Sequence, residues 1–133
     1  MTACASPRIL FVDDDELIVR LTSVTLRRAG WRITSFSDPR AALAAFEREP
    51  RAHDLVLADV QLGAMSGVDL AARMLEIAPG TAIVLTSGLI VQEDHDRALA
   101  LGVRAVVPKG QVMTDLPRLL RQWLPVCEGQ EPC

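Results

Sequence analysis

Five short apolar runs alternate with five longer helical patterns along the chain. The runs at residues 9–12, 32–36, 55–58, 82–85 and 105–107 are apolar or β-branched rather than alternating. That is the pattern of strands buried on both faces of a parallel sheet. Leu17, Leu21 and Val24 at helical spacing mark a first helix, with Arg27 and Arg28 in its last turn and Gly30 as its stop. The second opens on Asp38–Pro39, a capping residue followed by proline at the first helical position, and closes at Pro50. A third follows Gly67, carries Val68, Ala71, Met74 and Leu75, and ends before Pro79–Gly80. The fourth spans residues 92–101 and stops at Gly102. The fifth spans residues 115–124, with Leu116, Leu119, Leu120 and Trp123 on one side. Strand and helix repeated five times predict an α/β fold with a doubly wound parallel sheet and right-handed crossovers.

The chain of 133 residues is the size of one domain. Residues 8–125 read as that domain, and residues 1–7 and 126–133 have tail composition. Half the residues are apolar, enough for one packed core. No apolar run approaches the roughly 20 residues of a membrane span, and the amino-terminal stretch lacks the pattern of an export signal. Cys4, Cys127 and Cys133 have neither zinc spacing nor the density of a disulfide scaffold. A cytoplasmic protein with reduced thiols is the simplest expectation; reactive tail thiols are the alternative. The net charge of −3, with no Lys/Arg cluster interleaved with aromatics, argues against a nucleic-acid footprint.

In a sheet of this kind ligands bind outside the carboxyl ends of the strands. The first run ends in Asp13–Asp14–Asp15, the third in Asp59, the fourth in Thr86–Ser87 and the fifth in Pro108–Lys109. Ser37–Asp38, after the second, is assigned to helix capping. One or two of the three consecutive acids could equally be caps, where the helix dipole favours them. Capping does not explain Asp59. Carboxylates gathered in one crevice repel, so one is protonated or a cation is present. Mg²⁺, which takes one or two carboxylates and keeps several waters, suits the set. Acids, a hydroxyl and a lysine around one carboxylate suggest phosphoryl chemistry, with aspartate as nucleophile and metal and lysine neutralising charge.

These residues resemble a known family, the receiver domain of two-component response regulators, over about residues 8–124. The matching stretches are Ile-Leu-Phe-Val-Asp-Asp-Asp at 9–15, Asp-Leu-Val-Leu-Ala-Asp-Val at 54–60, Met-Ser-Gly at 65–67, Ile-Val-Leu-Thr-Ser-Gly at 83–88 and Pro-Lys at 108–109. Ser35 to Pro39 and the Leu-Thr-Ser-Gly run resemble receivers of the hybrid-sensor-kinase type in particular. The resemblance implies a flavodoxin-like (βα)5 fold with strand order 2-1-3-4-5. It also implies Asp59 as phosphoacceptor, and Asp13, Asp14, Asp59 and the main-chain carbonyl of Gln61 as Mg²⁺ ligands. Thr86 and Ser87 are then the switch and phosphoryl-binding hydroxyls, and Lys109 bridges to the phosphoryl group. A sensor histidine kinase or histidine phosphotransfer protein would be the donor, a downstream protein the target. The domain would catalyse only its own phosphorylation and slow dephosphorylation. With only short tails beyond it, output is expected through protein contact, as a monomer or weak dimer, without nucleic acid or membrane, unless the chain is a fragment of a larger hybrid kinase.

Three positions depart from the family's pattern. Gly63 stands where proline is usual. Gly110 follows Lys109 where a proline with a cis bond is usual; a cis bond before a non-proline residue costs about 3 kcal/mol, so a trans bond with a rearranged loop, or a strained exception, is expected. Val106 stands where an aromatic often sits, and the chain has no tyrosine at all. These departures motivate a second reading, a phosphorylation-independent binding module of the same fold. A phosphatase with an aspartyl nucleophile would want an acid where Gln61 stands, and a flavin site would want a phosphate loop after the first strand. His53 and His95 read as solvent-facing. Met65 and Met74 read as loop and core packing, and Glu93, Asp94 and Asp96 as a polar helix face.

Overall fold

The computed structural model describes residues 7–89, 92–110, 118 and 121–122. Five strands, β1 (Arg8–Val12), β2 (Arg32–Phe36), β3 (Leu55–Asp59), β4 (Ile83–Ser87) and β5 (Ala105–Pro108), form one parallel sheet in the order β2-β1-β3-β4-β5. Between them run α1 (Glu16–Arg28), α2 (Pro39–Arg48), α3 (Gly67–Ile77) and α4 (Gln92–Leu101). This is the flavodoxin-like order that the family resemblance implies. The fifth helix, expected at residues 115–124, falls outside the described residues apart from Arg118, Arg121 and Gln122.

The helices start where their capping chemistry says they should. Asp15 caps α1, Asp38 caps α2 with Pro39 in its first turn, and Ser66 caps α3 through a 3.0 Å hydrogen bond from the Asp69 N–H. The sheet separates two apolar clusters by strand alternation. Leu10, Val12, Val56, Ala58, Ile83 and Leu85 pack with α2, α3 and α4, while Ile9, Phe11, Leu55, Leu57 and Val84 pack with Leu26 and Trp31. Met74 is fully buried, and Met65 packs at the edge of the first cluster.

Three expectations need correction. Asp59, Thr86, Ser87 and Pro108 are the last residues of their strands rather than residues beyond them, and Ala82 precedes β4. β2 is not buried on both faces: Arg32 and Thr34 are exposed, because this strand lies at the edge of the sheet, and β5 at the other edge is only partly buried. The apolar stripe that marked α1 turns to solvent, with Leu17 62% and Leu21 48% exposed. The helix buries Thr22, Ser23 and Leu26 instead, with Ile18 and Val19 partly covered.

Candidate functional site

Three strand ends converge at the carboxyl edge of the sheet. Asp13 follows β1 and is 1% exposed; Asp59 closes β3 and is 4% exposed. Because Val12 lies beside Ala58 in register, the two acids come side by side. Asp13 Oδ1 accepts the Asp15 N–H at 2.9 Å, and Asp15 turns away to accept the N–H groups of Leu17 and Ile18. So one of the three consecutive acids caps α1, and Asp13 and exposed Asp14 remain in the crevice. Oxygens of Asp13, Asp14 and Asp59 lie within 4.8 Å of one another.

Lys109, the only lysine in the chain, follows β5 and reaches past β4 into this cluster. Its Nζ lies 2.7 Å from Asp59 Oδ2 and 3.1 Å from Asp13 Oδ2. Burial works against its charge, but the hydrogen bonds to Asp59 and Asp13 outweigh it and raise its pKa above the ordinary lysine value. Burial pushes the Asp13 carboxyl up from its ordinary value. The Asp15 N–H and Lys109 pull it back, and the charge of Asp59 pushes it further up. Three carboxylates against one ammonium leave a surplus of negative charge in a partly buried crevice. A hard divalent cation with oxygen ligands is the species whose charge and donor preference fit that surplus.

The loop after β3 is shaped by two glycines and a bridge. The Gln61 N–H donates to Asp59 Oδ1 at 3.1 Å, and Gln61 forms an isolated antiparallel bridge with Ser66. Gly67 donates its N–H to the Val60 carbonyl at 2.7 Å and packs so closely on the Asp59 carbonyl that a Cβ would collide with it. Gly63 sits at φ +73°, a conformation closed to proline, whose ring fixes φ near −65°. The departure at this position therefore goes with a different backbone path.

Thr86 pairs with Asp59 in the β3–β4 register, so their side chains leave the same face of the sheet, and Thr86 is buried. Ser87 is also buried, but its hydroxyl donates to the Leu89 carbonyl at 2.6 Å and ties down the start of the loop after β4. Val106 lies beside Leu85 in register and packs against the cluster under α4. Among the described residues no peptide bond is cis, so Lys109 and Gly110 are joined in trans. The two histidines are not solvent-facing as expected: both are half-buried, and the Nδ1 of each is buried without a hydrogen-bond partner among the described residues. Gly67 is the residue whose role the sequence alone did not show. Its one signal is a glycine directly after the capping Ser66, where a helix would prefer almost any other residue.

Comparison with known proteins agrees with this geometry. Residues 9–121 match the family described as "Response regulator receiver domain". The chain is similar to the probable transcriptional regulatory protein TcrX of Mycobacterium tuberculosis, 33% identical over 118 residues, which cover 86% of this chain and 50% of TcrX. It thus spans about half the length of that relative. It is also similar to the response regulator receiver protein CpdR of Brucella abortus, 30% identical over 86% of this chain and 88% of CpdR. Among solved structures it resembles a CheY-like receiver domain protein from Methanospirillum hungatei, with a TM-score of 0.78 and 27% identity over 88% of this chain and 90% of that one.

Proposed function

Since the chain belongs to the response regulator receiver domain family, a family of two-component signalling domains, we propose that it is switched by phosphorylation of Asp59. The observation that carries this reading is the buried Asp59 carboxylate, held 2.7 Å from Lys109 and within 4.8 Å of Asp13 and Asp14. Asp13, Asp14 and Asp59, with the main-chain carbonyl of Gln61, would hold Mg²⁺. The bound cation supplies charge neutralisation and orients the oxygens around the transferring group.

The chain's own residues do the rest. An Asp59 oxygen attacks the phosphorus of a phosphohistidine on a sensor kinase or phosphotransfer protein. The phosphorus–nitrogen bond breaks, and the imidazole leaves with the electron pair and takes up a proton. Lys109, already paired with Asp59, follows the charge onto the phosphoryl oxygens, and the Thr86 hydroxyl is the donor that closes on them from β4. The exposed stripe of Leu17, Leu21 and Val24 starts one turn from Asp14 and offers the donor protein an apolar face beside the site. The reaction is the domain's own phosphorylation and slow loss of the group, in the cytoplasm, and output passes by contact with a downstream protein. With Val106 in place of an aromatic, the movement of Thr86 would reach the surface through the loop that Ser87 ties down and through α4, rather than through a swinging ring. The same Val106 and the unusual backbone at Gly63 support the second reading, a binding module that acts without phosphorylation.

Beryllofluoride, a phosphoryl mimic that requires a carboxylate and Mg²⁺, separates the two. The first reading predicts a raised melting temperature for the wild type with Mg²⁺ and beryllofluoride, and none for Asp59→Asn. An unchanged melting temperature in the wild type, or the same rise in both proteins, favours the second.

A further inference from the structure

At the opposite edge of the sheet, roughly 16 Å from the acids along the five residues of β1, the arginines collect. A cavity of about 1100 Å³ is bordered by Arg8, Arg51 and Arg104, and an adjoining one of about 470 Å³ by Arg8, Arg32 and Arg48. Arg8, Glu49, Ala52 and His53 border both, so the two form one continuous groove. Arg8 and Arg32 are register neighbours at the start of β1 and β2, where like charges side by side destabilise a sheet. Arg8 is compensated by Asp54, 3.6 Å away, but Arg32, Arg48 and Arg51 have no ion pair or side-chain hydrogen bond among the described residues. Five arginines thus face Glu49 and Asp54 on one edge of a molecule whose net charge is −3.

We infer that this arginine-lined groove is a docking site for an acidic peptide segment of a partner protein, distinct from the phosphoacceptor site. The cationic groups are all guanidinium groups, which grip carboxylates bidentately and are more weakly hydrated than ammonium. Pro50, Ile77, Pro79 and Ala82 are among the lining of the larger cavity, an apolar surface that suits aliphatic side chains interspersed with acids. Among the described residues no Phe, Tyr or Trp lines either cavity and His53 is the one ring there, so the groove has little of the stacking surface that single-stranded nucleic acid uses. The groove lies at the far end of the strands from Asp59, so its occupancy does not require phosphorylation. The inference therefore stands or falls separately from the proposed function.

A fluorescein-labelled peptide of glutamate and leucine, followed by fluorescence anisotropy at low salt, tests it against oligothymidylate of equal charge. The wild type binds the peptide more tightly than the oligonucleotide. Arg48→Glu/Arg51→Glu, which reverses one exposed charge in each cavity, weakens peptide binding by about tenfold or more, and Asp59→Asn leaves it unchanged. Arg104→Glu, in the loop before β5, weakens it as well, and circular-dichroism melting shows both variants folded. Tighter binding of oligothymidylate, no saturable peptide binding, or equal binding by the folded arginine variants overturns the inference.

Discussion

Gly67 stands directly against the main-chain carbonyl of Asp59, with no room for a single carbon between them. The contact fixes where α3 begins and holds the end of β3 under the acid cluster. Gly67→Ala is therefore expected to destabilise the fold by about 1–3 kcal/mol, the usual cost of forcing a methyl group into packed backbone. It is also expected to weaken Mg²⁺ binding, although alanine favours helices over glycine. Urea unfolding and a Mg²⁺ titration check this; an unchanged midpoint would mean that the backbone gives way without loss.

The loop between Asp59 and Gly67 carries a second constraint. Gly63 at φ +73° occupies a region that proline cannot reach. Restoring the residue usual in the family, Gly63→Pro, is expected to lower stability by more than about 1 kcal/mol instead of rigidifying the loop. Thermal melting decides the sign. A gain in melting temperature would show that the loop readily adopts the proline-compatible path.

The acid cluster has a cost in the metal-free protein. Burial and the charge of Asp59 hold the Asp13 carboxyl above its ordinary value. The native state then keeps that proton to a higher pH than the unfolded chain, and stability falls as pH rises through the interval between the two values. At neutral pH, Asp13→Asn is expected to raise the melting temperature without Mg²⁺ and to abolish the further rise that Mg²⁺ gives the wild type. Both effects are read from one pair of melting curves. A metal-free loss of stability would mean that the ion pair with Lys109 outweighs burial and repulsion.

On the surface the balance reverses. Arg97 on α4 donates to Asp69 on α3 at 2.7 Å, and this bond, with the Ser66 hydroxyl, lowers the Asp69 pKa below its ordinary value. The stabilisation is present above the ordinary aspartate value and is lost as pH falls through the depressed one. Both side chains are about half exposed, so solvent screening limits the pair to at most about 1 kcal/mol. The melting temperature of Arg97→Ala should lie slightly below that of the wild type at neutral pH. The gap should close on acidification and with added salt; a gap independent of pH would assign it to packing.

Much of this arrangement was legible in the sequence because it depends on short-range chemistry. Asp38–Pro39 and Ser66 announce helix starts through capping, and the apolar runs place Asp13, Asp59, Thr86 and Lys109 at one edge once the strands are parallel. What was not legible depends on which face packs. Leu17, Leu21 and Val24 have helical spacing, but so do Val19, Thr22 and Leu26, and periodicity cannot choose between two stripes of one helix. The exposure of β2 follows from its place at the sheet edge, which is set by strand order and not encoded in its own residues. The arginine groove was hidden by a net charge that averages it against acids elsewhere. The tight fit of Gly67 against Asp59 is a tertiary contact that no local pattern reports.

Phosphorylation of Asp59 in the company of Asp13, Asp14 and Lys109, as proposed, would change the mass of the intact protein. Intact-mass spectrometry after incubation with Mg²⁺ and a small phosphodonor such as acetyl phosphate tests it most directly. The expected result is a gain of one phosphoryl mass that requires Mg²⁺, is lost in Asp59→Asn and falls sharply in Lys109→Ala. No gain in the wild type, or an equal gain in Asp59→Asn, would contradict it.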